Sequence, residues 1–187
     1  MTDDTAALQR AILTAALARK VLFLDHGDYK VTSTIYIPSN SRIVGESYSV
    51  ILSSGNFFAN INKPQPVLRV GNAGEYGTVE LSDIIISTQG PQAGAVLIEY
   101  NLASSSSSPA GIWDVHARIG GFAGSNLQLA QCPTTPTVQT PPAPVNTACI
   151  AAYLTLHITK SASGLYLENN WVSRPSHQPL GFTLTDL

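Results

Sequence analysis

The stretch GIWDVHARIGG, residues 111–121, determines how the rest of the chain is interpreted. Successive side chains of a strand point to opposite faces. One face of this stretch therefore takes Trp113, Val115, Ala117 and Ile119. The other takes Ile112 together with an acid, an imidazole and a guanidinium, which are Asp114, His116 and Arg118. The glycine pair at 120–121 then favours a turn. We predict a strand with one buried and one polar face, and its three polar residues are the candidate binding residues.

The composition limits the class of protein. A chain of 187 residues is long enough for one domain with a substantial core. A hydrophobic content of 44% with 12% charged residues excludes general disorder. The net charge of −2 gives no electrostatic basis for a nucleic-acid or membrane partner. No apolar run approaches the roughly 20 residues of a membrane helix, and the acidic, polar residues 1–4 do not resemble a signal peptide.

The first 20 residues differ from everything that follows. Residues 2–19 predict a helix, with Thr2, Asp3 or Asp4 as N-cap and Arg19 and Lys20 at its end. Its apolar stripe at helical spacing consists of Ala7, Leu8, Ala11, Ile12, Ala15 and Ala16. From Val21 onward the pattern indicates short strands, rich in valine and isoleucine, with turns between them and no further helix.

Two architectures fit such a series of strands. Short strands with turns are compatible with a sandwich or barrel. A solenoid of parallel strands is favoured by runs that are apolar on both faces, such as residues 84–86 and 21–24. An amphipathic helix ahead of the first strand would also cover the end of a stacked coil. No fixed sequence period is visible.

The two cysteines bracket a loop rich in proline and threonine. A disulfide between Cys132 and Cys149 would stabilise the fold by about 3 kcal/mol in an oxidising compartment. The alternative is two unrelated free thiols. Two cysteines and four scattered histidines do not supply the closely spaced ligands of a metal site, so no metal and no cofactor are expected.

Several stretches together are similar to one known family. They are TDDTAALQ at 2–9, FLDHGDYKVTSTI at 23–35, IVGE at 43–46, STQGP at 87–91, the strand at 111–121, and the segment from Cys132 to LHIT at 156–159. The chain resembles the second β-helix of the fungal glycoside hydrolase family 55 enzymes, the exo-acting β-1,3-glucanases, over residues 2–172. The first motif alone is common to the pectate-lyase-like superfamily, and the WDVH and Cys132 segments narrow the resemblance.

The resemblance implies a fold and a domain arrangement. The fold is an all-β, right-handed, single-stranded parallel β-helix of the pectin-lyase type, with a capping helix at its N-terminus. Residues 1–172 would form this incomplete β-helix domain, with the loop 132–149 held by the disulfide. Residues 173–187 depart from the family pattern, and we interpret them as an irregular tail from a frameshifted or mis-spliced gene model.

The resemblance also implies a function. The partner would be β-1,3-glucan or another polysaccharide, and the localisation extracellular, although residues 1–4 carry no signal peptide. Family members have two tandem β-helices, so a first β-helix domain is a further expected partner. Their general acid lies in coils that follow the equivalent of Val172, and the catalytic residues of this chain therefore stay unknown.

The acids on the predicted strands leave alternatives open. Glycoside hydrolysis needs two carboxyl groups about 6.5–9.5 Å apart for inversion and about 5–5.5 Å apart for retention. Strands of neighbouring coils lie roughly 4.8 Å apart, so acids two coils apart would suit inversion. The strand acids are Glu80, Asp83, Glu99, Asp114 and Glu168. Glu80 and Glu99 fit solvated outer-face positions, and Asp83 fits a turn.

Asp114 itself has two interpretations. It forms a structural salt bridge with Arg118, or it binds sugar hydroxyls together with His116 and Arg118. Trp113, on the opposite face, is expected in the core, and His157 is expected to be a wall histidine. The competing functions are a β-1,3-glucanase-type hydrolase, or a truncated fragment of one that lacks the catalytic acid region, and a non-catalytic glucan-binding or structural module. A third alternative is a chain whose uncovered strand edges require a partner for stable folding.

Overall fold

The computed structural model describes residues 2–105, 107–133 and 146–173. They form one helix and twelve strands, with short 3-10 turns at Asn56–Phe58 and Thr147–Cys149. The elements in chain order are α1 (Thr5–Leu17), β1 (Val21–Leu24), β2 (Gly27–Val31), β3 (Ile35–Ile37), β4 (Arg42–Ser53), β5 (Gln65–Val70), β6 (Glu80–Thr88), β7 (Ala95–Tyr100), β8 (Ala110–Trp113), β9 (His116–Arg118), β10 (Leu154–Ile158), β11 (Leu165–Glu168) and β12 (Trp171–Ser173).

The strands pair in parallel in two sheets. The first sheet has the order β1-β4-β6-β8-β11, and β2, β9 and β12 pair alongside it with β4, β6 and β9. The second sheet has the order β3-β5-β7-β10. Parallel neighbours require a crossover, and here each crossover carries a strand of the other sheet. The predicted all-β class is confirmed, with parallel sheets rather than the hairpins of an antiparallel sandwich.

The core lies between the two sheets. Residues in register on successive strands point into it, as in the row Ile43, Leu81 and Ile112 of the first sheet. The second sheet contributes Ile37, Val70 and Tyr100 from its own register. Rows of aliphatic side chains on successive strands therefore bury one another, which explains the alternation seen in the sequence.

Helix α1 covers the first strands and confirms the predicted N-terminal helix. Its buried residues are Leu8 and Ile12, which join the core. The side chain of Gln9 donates to the carbonyl of Tyr36 and accepts from the amide of the same residue, both at 2.8 Å. Gln9 thereby occupies the edge of β3 as a neighbouring strand would, and such covering protects an otherwise unpaired edge.

The helix is shorter than predicted because its flanking residues have other partners. It begins at Thr5, after Asp3 and Asp4, and ends at Leu17. Asp4 accepts from the amide of Lys30, and Asp3 accepts from the hydroxyls of Thr32 and Thr5. These hydrogen bonds lower the pKa of Asp3. The two acids thus attach the start of the helix to β2 and to the residue after it, while Asp4 occupies the predicted N-cap position and Asp3 also accepts from the amide of Thr5 at 3.0 Å.

The predicted disulfide is present. Cys132 and Cys149 are bonded, with their Cα atoms 5.7 Å apart. Most of the proline-rich loop between them, residues 134–145, lies outside the described residues, as does the tail 174–187. Within the described part of the chain, no helix is both long and apolar enough to cross a membrane.

Candidate functional site

The predicted strand at 111–121 is two strands with a bend between them. β8 ends at Trp113, β9 begins at His116, and Asp114 between them has φ of 50°. Asp83 and Asn169 have φ of 56° and 53° at the matching bends of the neighbouring coils. Aspartate and asparagine tolerate this left-handed conformation better than other residues that carry a Cβ. The same bend is therefore repeated in three successive coils.

The bend corrects the predicted faces of this strand. Ile112 is 2% exposed and packs in the core with Val115, whereas Trp113 is half-buried and points outward. The assignment of Trp113 to the core and of Ile112 to the polar face was wrong. A left-handed residue inserts a change of direction, so the alternation on its two sides does not continue as one pattern.

Trp113 lies flat against its own strand. A Cβ at Gly111 would overlap the indole ring, so only a glycine at that position leaves room for it. The ring of Tyr166, on the neighbouring strand β11, lies 6.2 Å away with the two planes tilted by 46°. Tyr166 is 48% exposed. Trp113 and Tyr166 form an aromatic platform on the outer face of the first sheet.

Polar groups surround this platform. Asn169 donates from its amide nitrogen to the carboxylate of Asp114 and accepts at 3.0 Å from the indole N–H of Trp171. The hydroxyl of Tyr166 donates to Glu168 at 2.9 Å, and this hydrogen bond raises the pKa of Tyr166. We call the following six residues the bend site: Trp113, Asp114, Tyr166, Glu168, Asn169 and Trp171.

Asn170 holds the two coils of the bend site together. Its side chain accepts from the amide of Val115 at 3.0 Å and donates to the carbonyl of Ile112 at 2.9 Å. Both backbone groups flank Asp114, where the strand ladder is interrupted. The asparagine replaces the missing ladder bonds, and the bend is therefore fixed by side chains from the neighbouring coil.

The two other predicted site residues, His116 and Arg118, lie on β9. Arg118 contacts Phe122 and does not pair with Asp114. His116 and Arg118 both point outward, as predicted. The guanidinium carbon of Arg118 is 4.3 Å from the ring centroid of Phe122, which packs on Val50, Leu52 and Ile85. Arg118 therefore fastens the segment that follows β9 to the sheet by a cation–π contact.

The salt bridge considered for Asp114 and Arg118 is not formed. Between the described residues, the ion pairs are Arg42–Glu80 at 3.6 Å and Arg69–Glu99 at 3.1 Å. Asp114 accepts from Asn169 instead, and Asp83 accepts from Ser82.

Sequence reasoning assigned Trp113 to the core and missed three further residues of the bend site as contributors, Tyr166, Asn169 and Trp171. They follow Trp113 by more than 50 positions, and only the parallel register of β11 on β8 and β12 on β9 brings them together. The signal that could have found them is the repetition of an apolar alternation followed by a polar bend, LYLENNW at 165–171 beside GIWDVH at 111–116. Across the described ranges, no three His, Cys, Asp or Glu side chains converge as metal ligands.

Comparisons with known proteins cover nearly the whole chain. The sequence model of the family described as "Rhamnogalacturonase A/epimerase, pectate lyase-like" matches residues 1–106. A protein of Cochliobolus carbonum named "Glucan 1,3-beta-glucosidase" is 48% identical over 95% of this chain and 21% of its own length. A "Probable glucan endo-1,3-beta-glucosidase" of Arthroderma benhamiae is 45% identical over 95% of this chain and 20% of its own.

A third relative has a different name. A protein of Penicillium expansum named as a non-secreted LysM effector is 42% identical over 94% of this chain and 12% of its own length. The chain thus spans about a fifth or less of the length of these curated relatives. The predicted resemblance to fungal β-1,3-glucanases is confirmed as a similarity to part of such proteins.

Proposed function

Because the chain belongs to the rhamnogalacturonase A/epimerase, pectate lyase-like family, we propose that it is a module of a β-1,3-glucanase-type glycoside hydrolase and that its bend site binds the glucan. The observation that carries this proposal is the similarity, over 95% of the chain, to a relative named as a glucan 1,3-β-glucosidase. The chemistry of the bend site supports it independently.

The fold we propose is a right-handed, single-stranded parallel β-helix formed by residues 1–172. The support is that every pass of the chain adds a strand to each sheet in parallel register, with aliphatic rows between the sheets. Ser173, the last residue of β12, is in register with Arg118, so the domain would extend at least to this residue. The family to which the chain belongs is described as pectate lyase-like, in agreement with this proposal.

The aromatic platform suits a sugar ring. The exposed faces of Trp113 and Tyr166 are apolar, and a glucose ring presents an apolar face of C–H groups that packs on an aromatic surface. Around the platform, Glu168, Asp114 and Asn169 provide acceptors and donors for the ring hydroxyls. Such a combination of an apolar face and a polar rim fits glucan better than a purely apolar ligand.

The candidate binding residues divide into two roles in this proposal. Asp114 at the bend and His116 at the start of β9 contact hydroxyl groups of the glucan. Arg118 holds Phe122 against the sheet and so positions the segment next to the site without touching the sugar. Trp171, which lies in register with His116, closes the site on that side.

The described acids support binding better than proton donation. A general acid must hold a proton that it can give to the leaving oxygen. Each of the five strand acids already accepts a hydrogen bond or pairs with a guanidinium, the partners being Arg42, Ser82, Arg69, Asn169 and Tyr166. We propose that Asp114 and Glu168, the two acids of the bend site, bind and orient glucan and that the general acid is not among the five.

A second candidate function is a non-catalytic glucan-binding or structural module. The observation that favours it is that a stretch 42% identical to this chain occurs in a protein named as a LysM effector. A segment found in proteins with such different names is consistent with a unit that supplies binding rather than a complete reaction.

For the compartment, we propose an extracellular or otherwise oxidising location. The disulfide Cys132–Cys149 supports this, because such bonds persist in oxidising surroundings. The Penicillium relative is named as non-secreted, so the compartment of this chain is best measured directly. Quantification of free thiols in protein isolated from its native source would do so, and two free thiols per chain would contradict the proposal.

The function is tested with the purified 187-residue chain. We expect it to co-sediment with insoluble β-1,3-glucan. We expect Trp113→Ala to weaken this binding by about tenfold, because the packing of a ring on an aromatic face contributes on the order of 1 kcal/mol. The matched control is Tyr153→Ala, which removes an exposed aromatic ring away from the bend site. Failure of the folded chain to bind glucan would refute the proposal.

Glucose release from laminarin separates the two candidate functions. Turnover that is lost in Asp114→Ala would place hydrolysis within this chain and contradict our proposal that the general acid is not among the five strand acids. Binding without turnover would favour the binding module.

A further inference from the structure

A cavity separate from the bend site lies on the same outer face of the first sheet. It has a volume of about 270 Å³ and lies between the end of α1 and the beginnings of β4 and β6. We call it the helix-end pocket, and it is lined by Arg19, Asn40, Ser41, Arg42, Thr78 and Glu80. Two of these residues were considered above in other roles, Arg19 at the end of the helix and Glu80 as a strand acid.

The lining offers donors and acceptors in close alternation. Arg42 and Glu80 pair at 3.6 Å, and about half of each side chain remains exposed, so both still have free hydrogen-bonding capacity. The buried hydroxyl of Ser41 donates to the carbonyl of Pro38, which leaves its oxygen lone pairs as acceptors. Arginine beside a carboxylate, with amide and hydroxyl groups, is a combination that recognises neighbouring hydroxyls of a neutral sugar.

Two lining residues have an unfavourable backbone conformation. Arg19 has φ of 53° and Asn40 has φ of 66°. Arg19 follows the C-cap of α1, the position where glycine is normally favoured. Glycine would adopt this conformation without strain, whereas arginine gains only the modest attraction of a cation to the end of the helix. Its guanidinium is what it contributes to the pocket, and strain of this kind is concentrated at functional sites.

The register connects the pocket to the aromatic platform. Arg42, Glu80, Gly111 and Tyr166 are successive neighbours across β4, β6, β8 and β11. The indole of Trp113 lies over Gly111, between Glu80 and Tyr166. Since adjacent strands lie about 4.8 Å apart, the pocket begins roughly 10 Å from Tyr166 along one face.

We propose that the helix-end pocket is a second saccharide subsite, which binds a more distant glucose unit of the glucan chain held at the bend site. The inference rests on the proposed function, because it takes the ligand class from it. A short oligomer would occupy the platform alone, whereas a longer one would extend across Gly111 and reach Arg19 and Arg42.

The test compares calorimetric titrations of the full chain with a trimer and a hexamer of β-1,3-linked glucose. We expect Arg19→Gly to weaken hexamer binding by about tenfold and to leave trimer binding unchanged, because only the longer ligand loses a charged hydrogen bond. The variant should be at least as stable as the parent chain, since glycine suits the position after a helix end. The control is Arg10→Ala, which removes an exposed arginine from the same helix outside the pocket.

The outcomes separate the two proposals. Equal hexamer affinities for the parent chain and Arg19→Gly would overturn the subsite and leave the proposed function intact. An absence of binding of both oligomers by the folded parent chain would overturn both. Displacement of the hexamer by inorganic phosphate in the parent chain but not in Arg19→Gly would identify an anion site, and this also overturns the saccharide subsite.

Discussion

The two ends of the stacked strands differ in what lies over their apolar side chains. At the N-terminal end, α1 covers the first coil, and Ile12 is 1% exposed. At the far end of the described strands, formed by β10, β11 and β12, two residues in core-facing register are partly exposed: Leu167 is 41% and Val172 is 48% exposed. Leu167 is in register with the buried Ile112, and Val172 with the buried Ala117.

The difference shows that the aliphatic rows of parallel strands do not bury themselves. Each residue of a row is covered by its neighbours on both sides, and a terminal residue needs a cover of another kind. At the N-terminal end the cover is a helix with two buried aliphatic residues and a glutamine that pairs with the strand edge. Aliphatic side chains at the helix-covered end should therefore contribute more to the free energy of unfolding than those at the far end.

The most direct test of this comparison replaces one aliphatic residue at each end. We expect Ile12→Ala to lower the free energy of unfolding by about 2–5 kcal/mol, because it leaves a cavity between the helix and the first coil. Val172→Ala should change it by about 0.5 kcal/mol or less, because the side chain is half-exposed. Urea denaturation measures both. Equal losses would mean that the far end carries as much stability as the helix-covered end.

The edge contacts of the helix provide the next test. We expect Gln9→Ala to destabilise the chain by about 1–3 kcal/mol, because the amide and carbonyl of Tyr36 both lose their partner. The amide of Tyr36 should also exchange faster with deuterium. Arg10→Ala is the control, since it alters the adjacent, exposed helix position. Unchanged exchange at Tyr36 in Gln9→Ala would show that the glutamine does not protect this edge.

Each end also has a tyrosine that donates a hydrogen bond to a glutamate. The pair at the helix-covered end should contribute more to stability. The hydroxyl of Tyr36 donates to Glu75 at 2.6 Å in a partly buried site, whereas Tyr166 donates to Glu168 at 2.9 Å in an exposed one. We expect Tyr36→Phe to cost about 1–2 kcal/mol of stability, because Glu75 loses a charge-assisted hydrogen bond. Tyr166→Phe should cause no measurable loss in the same urea experiment. The reverse order would contradict the comparison.

The contribution of the Tyr36–Glu75 pair to stability should depend on pH. Burial raises the pKa of Glu75, but hydrogen bonds from Tyr36, Asn72 and Ser39 outweigh it and lower the pKa below its ordinary value of 4.5. The contribution of the ionised group is therefore present above pH 4.5 and is lost as the pH falls through the lower folded value. The stability difference between the parent chain and Glu75→Gln should shrink over that interval. A constant difference would show that Glu75 is not the titrating group.

At alkaline pH the effect is opposite: the stability contributed by Tyr36 decreases as the pH rises. Burial, followed by the hydrogen bond and charge of Glu75, raises the pKa of Tyr36 to about 12. The neutral phenol is favoured by folding, so its contribution is complete below the ordinary value of 10.0 and is lost as the pH rises towards about 12. Tyr36→Phe should be less sensitive to pH in this range, as measured by urea denaturation. An identical alkaline profile of both proteins would oppose this assignment.

The sequence predicted the elements of this fold better than their directions. Aliphatic alternation, helical spacing and the bracketing cysteines are local signals, and they located α1, most strands and the disulfide. The left-handed bend at Asp114 has no such signal, because an aspartate after a strand is equally compatible with an ordinary turn. One residue in this conformation reversed the faces predicted for Ile112 and Trp113.

The candidate site was predicted only in part, because several of its residues come from a neighbouring coil that is distant in sequence. Asp114 was identified because it stands in a polar cluster, but its partner Asn169 depends on how many residues each coil contains. The segment between β9 and β10 is long, and its length hides the coil period in the sequence. Arg118 was grouped with Asp114 by alternation, whereas its contact with Phe122 depends on a segment that folds back onto the sheet.

The two tryptophans of this chain, Trp113 and Trp171, both belong to the bend site. Its tryptophan fluorescence, when excited at wavelengths that the seven tyrosines do not absorb, therefore arises from that one place. Trp113 is half-buried over Gly111, and Trp171 is well exposed, so a soluble quencher should distinguish the two emitters. The chain thus contains its own optical reporter, which can follow occupancy of the site in solution without any added label.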